Sequence, residues 1–172
     1  MALHTQQLLR DVADDTREDA LKFLVQAQNA MQLSEKLFAS GLLSFDRRER
    51  IEQYFFDRLA LVPQTDGLYF ADPSGQFLFT KRSPNDSVSR YETKLIDFAD
   101  GVRRVRKIWR DDQFKKIKRD VLHDDTYDPR VRPWYLKAHK IAQLIWSDPY
   151  IFSLLRRWVS PSPCVCWTAP EN

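Results

Sequence analysis

Gly67-Leu68-Tyr69-Phe70-Ala71-Asp72-Pro73-Ser74-Gly75-Gln76-Phe77-Leu78-Phe79-Thr80 is the stretch that sets the architecture. Two apolar, aromatic-rich runs flank Asp72-Pro73-Ser74-Gly75, which has Pro and Gly where a type I turn wants them. The stretch predicts a β-hairpin. On its N-terminal side the hydrophobic period is helical. On its C-terminal side two more strand candidates follow, residues 91–98 and 102–109, rich in Val, Ile and aromatics but loaded with basic side chains.

Upstream, residues 8–40 read as one long helix. Ala20, Phe23, Ala27, Ala30 and Leu37 share a face at helical spacing, with Leu24, Met31 and Phe38 beside them. Residues 10–19 are almost entirely polar and acidic, and no Pro or Gly interrupts before Gly41, which suits a C-cap. A helix of about thirty residues far exceeds the usual length of about eleven or twelve, so it either spans the domain as a spine or pairs with another helix. A second helix is expected after Asp46, an N-cap candidate with Glu49 three residues on. Its buried stripe is Ile51, Tyr54, Phe55 and Leu59, and Pro63 lies beyond its end. Residues 83–89 form a polar loop. Residues 110–125 carry no decisive period, and a short charged helix is the expectation there. Residues 132–145 read as a helix opening on Pro133, and 146–152 as a strand. Antiparallel strands joined by hairpins, with helices grouped on one side, define an α+β domain.

Composition narrows the function classes. The 172 residues are 43% hydrophobic, 30% charged and 13% aromatic, the profile of one globular domain with a real core. Four glycines argue against a turn-rich barrel and against a glycine-rich nucleotide loop. A net charge of +3, with Lys and Arg spread along most of the chain, is too weak to imply nucleic acid. Cys164 and Cys166, one residue apart, make neither a structural disulfide nor a zinc set. No apolar stretch reaches the roughly eighteen residues that span a bilayer, and the first residues lack the pattern of a signal peptide. The last twenty residues, with three of the nine prolines between 161 and 170, show no period and are expected to be poorly ordered or non-native.

The residues that carry chemistry are Tyr127-Asp128-Pro129-Arg130-Val131-Arg132-Pro133-Trp134-Tyr135, then Trp146-Ser147-Asp148-Pro149-Tyr150. Arginine offers a planar fork of donors that fits a carboxylate in two parallel hydrogen bonds. Trp and Tyr rings enclose an ammonium or an apolar group while keeping one polar handle each. A guanidinium beside aromatic walls suits a pocket for an amino acid or small organic acid. On the residues alone, a packed corner around a structural arginine is the slightly favoured account.

The segment Asp128-Pro129-Arg130-x-Arg132-Pro133-Trp134-Tyr135-x-x-Ala138, followed by Trp146-x-x-Pro149-Tyr150, resembles the signature of double-Cache sensor domains. These are extracytoplasmic domains of bacterial chemoreceptors, sensor kinases and cyclases. The layout over residues 8–152 is similar too, including the Tyr69–Gln76 hairpin. The resemblance implies a long N-terminal signalling helix in residues 1–45 and a PAS-like, membrane-distal subdomain in 46–152. Residues 153–172 depart from the family pattern, and the second, membrane-proximal subdomain is not in the sequence, which makes a truncated or frame-shifted reading frame the expectation. The resemblance further implies that Tyr127, Arg132, Trp134, Tyr135 and Tyr150 contact the ligand, the first residues at its carboxylate end. The family's later Asp, which holds an ammonium, has no counterpart here. The expected protein is a receptor's periplasmic portion, anchored through its parent to the inner membrane and able to dimerise through the N-terminal helix. It binds a small molecule, signals to a cytoplasmic output domain, and needs no cofactor.

Other readings carry less. Residues 103–119 interleave basic and aromatic side chains, the pattern of a nucleic-acid-binding module, but Asp111 and Asp112 interrupt them and a solvated strand face is the plainer account. His123, Asp124, Asp125 and Asp128 suggest solvated or capping groups before a metal. Arg130 reads as a salt-bridge residue and Trp146 as core. His4, His123 and His139 have no convincing partner, and no nucleophile elbow or phosphate loop occurs, so catalysis is not expected.

Overall fold

The computed structural model describes residues 2–63, 65–83 and 88–141, with side chains from 5 to 140; beyond 141 it describes only the backbone of four short strands. The chain is α+β. Helix α1 (Ala2–Ala39) is followed by a 3-10 turn (Phe45–Arg47) and helix α2 (Arg48–Leu61). Strands β1 (Gly67–Ala71), β2 (Phe77–Arg82), β3 (Tyr91–Ala99), β4 (Val102–Arg110) and β5 (Lys116–Val121) form one antiparallel meander in chain order. A 3-10 turn (Pro129–Val131) and helix α3 (Pro133–Ile141) follow. Strands β6 (Ile145–Trp146) and β7 (Tyr150–Phe152) pair with β9 (Pro163–Cys164) and β8 (Arg157–Val159) respectively.

The predicted hairpin forms with its turn chemistry intact. Gly75 N donates to the Asp72 carbonyl at 3.0 Å, and Asp72 Oδ1 accepts from the Gln76 backbone at 3.0 Å. Gly75, at φ 89°, takes the left-handed position that returns the chain to β2. The β3–β4 connection is tighter. Asp100 and Gly101 both have positive φ, 54° and 73°, between the paired Ala99 and Val102. That is a two-residue type I′ turn, whose twist matches that of the strands it joins.

Strand alternation divides the sheet between two cores. One face presents Phe70, Leu78 and Leu95 to Phe38 of α1 and to Phe45, Ile51 and Phe55. The Phe38 and Phe70 rings stack at 3.8 Å. Farther along, Phe56 and Leu59 of α2 meet Tyr91. The other face presents Ala71, Phe77, Phe79, Ile96 and Val105 to Tyr127, Trp134 and Tyr135. β2 and β3 are buried on both faces over most of their length, and β3 buries polar Thr93, Lys94 and Asp97 along with its apolar residues. Buried charge fastens α2 to β4: Arg110 holds Glu52 through two 2.8 Å bonds, and Arg48 and Arg106 converge on Asp97.

Three local expectations change. Asp46 does not cap α2; it lies exposed within the 3-10 turn, because burying Phe45 against Phe70 (5.2 Å) tightens the chain one turn earlier. Residues 116–121 form an edge strand where a charged helix was expected. β5 is exposed along most of its length, so no alternation betrays it, and its ladder to β4 decides its conformation. The third helix ends at Ile141, and residues 145–152 contribute two short strands in separate ladders.

Candidate functional site

The chain leaving β5 crosses back over the sheet, and its own polar groups fix its path. Asp125 Oδ1 accepts from the Tyr127 backbone at 3.0 Å, closing an Asx turn. Arg103 donates to the Asp125 and Tyr127 carbonyls, the latter at 2.7 Å. Next, Asp128 accepts from the Arg130 backbone at 2.9 Å and pairs with the Arg130 side chain at 2.8 Å. The hairpin turn abuts this pair so closely that a Cβ on Gly75 would lie 3.1 Å from Arg130 Nε. Arg130 therefore works as a clamp between loop and hairpin. Pro133 then dictates the geometry of the site. The residue before a proline is pushed out of the helical region, so Arg132 is extended (φ −85°, ψ 144°) and α3 starts at Pro133.

That start brings the predicted side chains together. Trp134 is 1% exposed, 4.7 Å from Tyr69 and 6.3 Å from Phe77. Tyr135 packs edge-on to Trp134 at 5.7 Å and stacks with His139 at 6.0 Å. Tyr127 is buried 5.1 Å from Phe77, and the Arg132 guanidinium sits 4.6 Å from the Tyr127 ring centre. Four of the five expected residues, Tyr127, Arg132, Trp134 and Tyr135, thus line one aromatic corner over β1 and β2. Tyr150 lies in β7, paired with Val159, and its side chain lies outside the described residues, as does that of Trp146.

Two donors in this corner have no acceptor among the described residues: Arg132 Nε and Trp134 Nε1, both buried. A buried donor left unsatisfied costs about 1–3 kcal/mol, so native structures rarely keep one without an occupant for it. Both groups donate and neither accepts. An acceptor placed there, a carbonyl or an anion, would satisfy both.

Sequence reasoning missed Lys94. It is 2% exposed in the middle of β3, its ammonium 2.6 Å from Asp125 and 4.6 Å from the Tyr127 ring centre. Burial lowers its pKa below the ordinary lysine value, opposed by the hydrogen bond and charge of Asp125. Burial also works against ionising Asp125, but Lys94, the Tyr127 N–H and Arg103 outweigh it and hold the carboxyl below its usual range. The available signal was a lysine inside a run buried on both faces. Nothing in the sequence pairs it with Asp125.

The basic stretch resolves into β4 and β5. Five of its cations hold carboxylates: Arg103 with Asp125, Arg106 with Asp97, Lys107 with Glu92, Arg110 with Glu52 and Lys118 with Asp120. Trp109 lies 4.8 Å from the Lys118 ammonium. Of the acidic residues considered for a metal, Asp125 and Asp128 are committed to Lys94, Arg103 and Arg130, while His123 and Asp124 are exposed. No helix among the described residues is long and apolar enough to cross a membrane. Comparison with protein-family models, curated proteins and solved structures returns no match.

Proposed function

We propose that this chain is the ligand-sensing part of an extracytoplasmic receptor, a PAS-like double-Cache-type domain that binds a small carboxylate or amino acid and performs no catalysis. The observation that carries the reading is the pair of buried, unpartnered donors, Arg132 Nε and Trp134 Nε1, in an aromatic corner. A ligand carboxylate pairs with Arg132, Trp134 donates its indole proton, and Tyr127 and Tyr135 form the walls, with Tyr150 expected beside them.

The signal leaves through β1. Tyr69 touches Trp134, and the next residue, Phe70, points to the opposite face and stacks on Phe38 of α1. A ligand that favours one position of the corner shifts the population of helix positions by its differential affinity for the two states. Helix α1 is also the surface for a second copy. Leu9, Ala13, Thr16, Ala20, Phe23, Ala27 and Ala30 follow an unbroken alternation of four- and three-residue steps, the spacing of a two-helix seam, before Ser34 and Leu37 turn to partners within the chain.

The test is a thermal-shift screen of the chain against amino acids and small carboxylic acids, with Arg132→Ala as control. A ligand at about one hundred times its Kd stabilises the folded state by about 2.7 kcal/mol. A shift in the parent that Arg132→Ala abolishes is the expected result. A well-folded parent that no acid stabilises refutes the reading.

A further inference from the structure

The charges that converge on Tyr127 are unequal. The Lys94 ammonium and the Arg132 guanidinium each lie 4.6 Å from the centre of the same ring, so they are no further apart than twice that distance. Arg103 donates to the Tyr127 carbonyl at 2.7 Å. Against these three cations stands one carboxylate, Asp125, held by Lys94 at 2.6 Å and by Arg103 at 3.5 Å. The next carboxylate along the chain, Asp128, is neutralised by its own neighbour Arg130. No described side chain balances the charge of Arg132, and its Nε is buried without an acceptor.

Position makes this imbalance effective. Lys94 is 2% exposed, and its ammonium is fixed between a carboxylate and an aromatic face. Charges shielded from water act on one another far more strongly than surface charges do. A ligand carboxylate entering beside Arg132 meets donors and an attractive field. An ammonium entering there meets repulsion from Lys94 and Arg103, and the carboxylate beside them, Asp125, already serves both.

We propose that the Arg132 corner selects organic acids that lack an amino group, and that Lys94 is the specificity-determining residue, supplying a fixed positive charge beside Tyr127. The inference rests on the ligand-sensing reading and narrows it to one of its two ligand classes. Lys94 acts through its field, since its ammonium is committed to Asp125. Removing its charge brings the site nearer to neutrality, and removing the charge of Asp125 makes the site more positive. The two changes therefore shift selectivity in opposite directions.

Calorimetric titration of the chain at neutral pH with two matched pairs, succinate against aspartate and propionate against alanine, tests this. Each pair shares a carbon skeleton and differs by one ammonium. The acid without the amino group binds at least about ten-fold more tightly, since a like-charge encounter costs that much or more. Lys94→Met narrows the ratio, and Asp125→Asn, which keeps an acceptor for Lys94 and Arg103, widens it. Loss of folding does not produce opposite movements, and if Lys94→Met fails to fold, Asp125→Asn alone decides by the direction of its change. Equal or tighter binding of the amino acids, with Arg132 still required, overturns the inference and leaves the sensing reading standing. No binding by any of the four probes overturns both.

Discussion

At the scale of single residues, Asp125 joins the architecture of the corner to its electrostatics. Its side chain closes the Asx turn on Tyr127 and holds both Lys94 and Arg103. Its folded carboxyl titrates below the ordinary value of about 3.9. A depressed folded value means that its contribution to stability is complete above the unfolded pKa and disappears as pH falls through the folded one. Urea midpoints measured from neutral pH down to about pH 2 should therefore fall in the acid range, with Asp128 adding to the loss because Arg130 depresses its carboxyl too. Asp125→Asn should show a shallower acid loss and a lower midpoint at neutral pH. An acid limb identical to the parent's would show that the pair contributes nothing. Phe77 illustrates the apolar counterpart. It is fully buried among Tyr69, Tyr127 and Trp134, so Phe77→Ala should cost about 3–5 kcal/mol in chemical denaturation.

At the scale of elements, α1 behaves as two helices in one. From Met31 onward it is anchored by Phe38 on Phe70 and by a 2.8 Å hydrogen bond between Ser34 and Tyr54. From Thr5 to Lys22 every residue is exposed. Local pairs such as Glu18–Lys22, at 2.9 Å, stabilise an exposed helix by only about 0.3–0.5 kcal/mol each. Most helical stability in proteins comes from packing an amphipathic face, and the proposed pairing would use the face that carries Leu9 to Ala30. Sedimentation equilibrium should show a dimer that Phe23→Asp converts to monomer without altering the sheet. A parent that stays monomeric at high concentration refutes pairing through α1.

For the molecule as a whole, the sheet separates the Trp134 core from a helical core, and β1, like β2 and β3, touches both through adjacent residues. Truncating Phe70 to Leu removes the ring that stacks on Phe38 and leaves Tyr69 against Trp134. Ligand binding by Phe70→Leu should therefore stay within a few-fold of the parent, while the ligand-induced movement of a spin label on α1 should shrink. An undiminished movement would show that β1 is not the route. The alternative placed on residues 103–119 has a separate readout, salt-dependent binding to RNA, and the five carboxylates that already occupy its cations give that outcome no support.

Whatever depends on near neighbours in the chain was legible without coordinates. The helical period of α1 and the Asp-Pro-Ser-Gly turn act over a few residues, so the α+β layout could be read directly; the grouping of Tyr127, Arg132, Trp134 and Tyr135 rested on the family resemblance, and the extended Arg132 before Pro133 falls where the helix was expected to begin. What stayed hidden depends on partners far away in the chain. Lys94 is buried because Asp125, thirty-one residues on, meets its ammonium. Residues 116–121 are a strand because β4 offers them a ladder, not because their own pattern demands one. Local sequence determines conformation and the order of elements. Only the closed sheet, by removing water from between distant charges, decides which of them act together and with what sign.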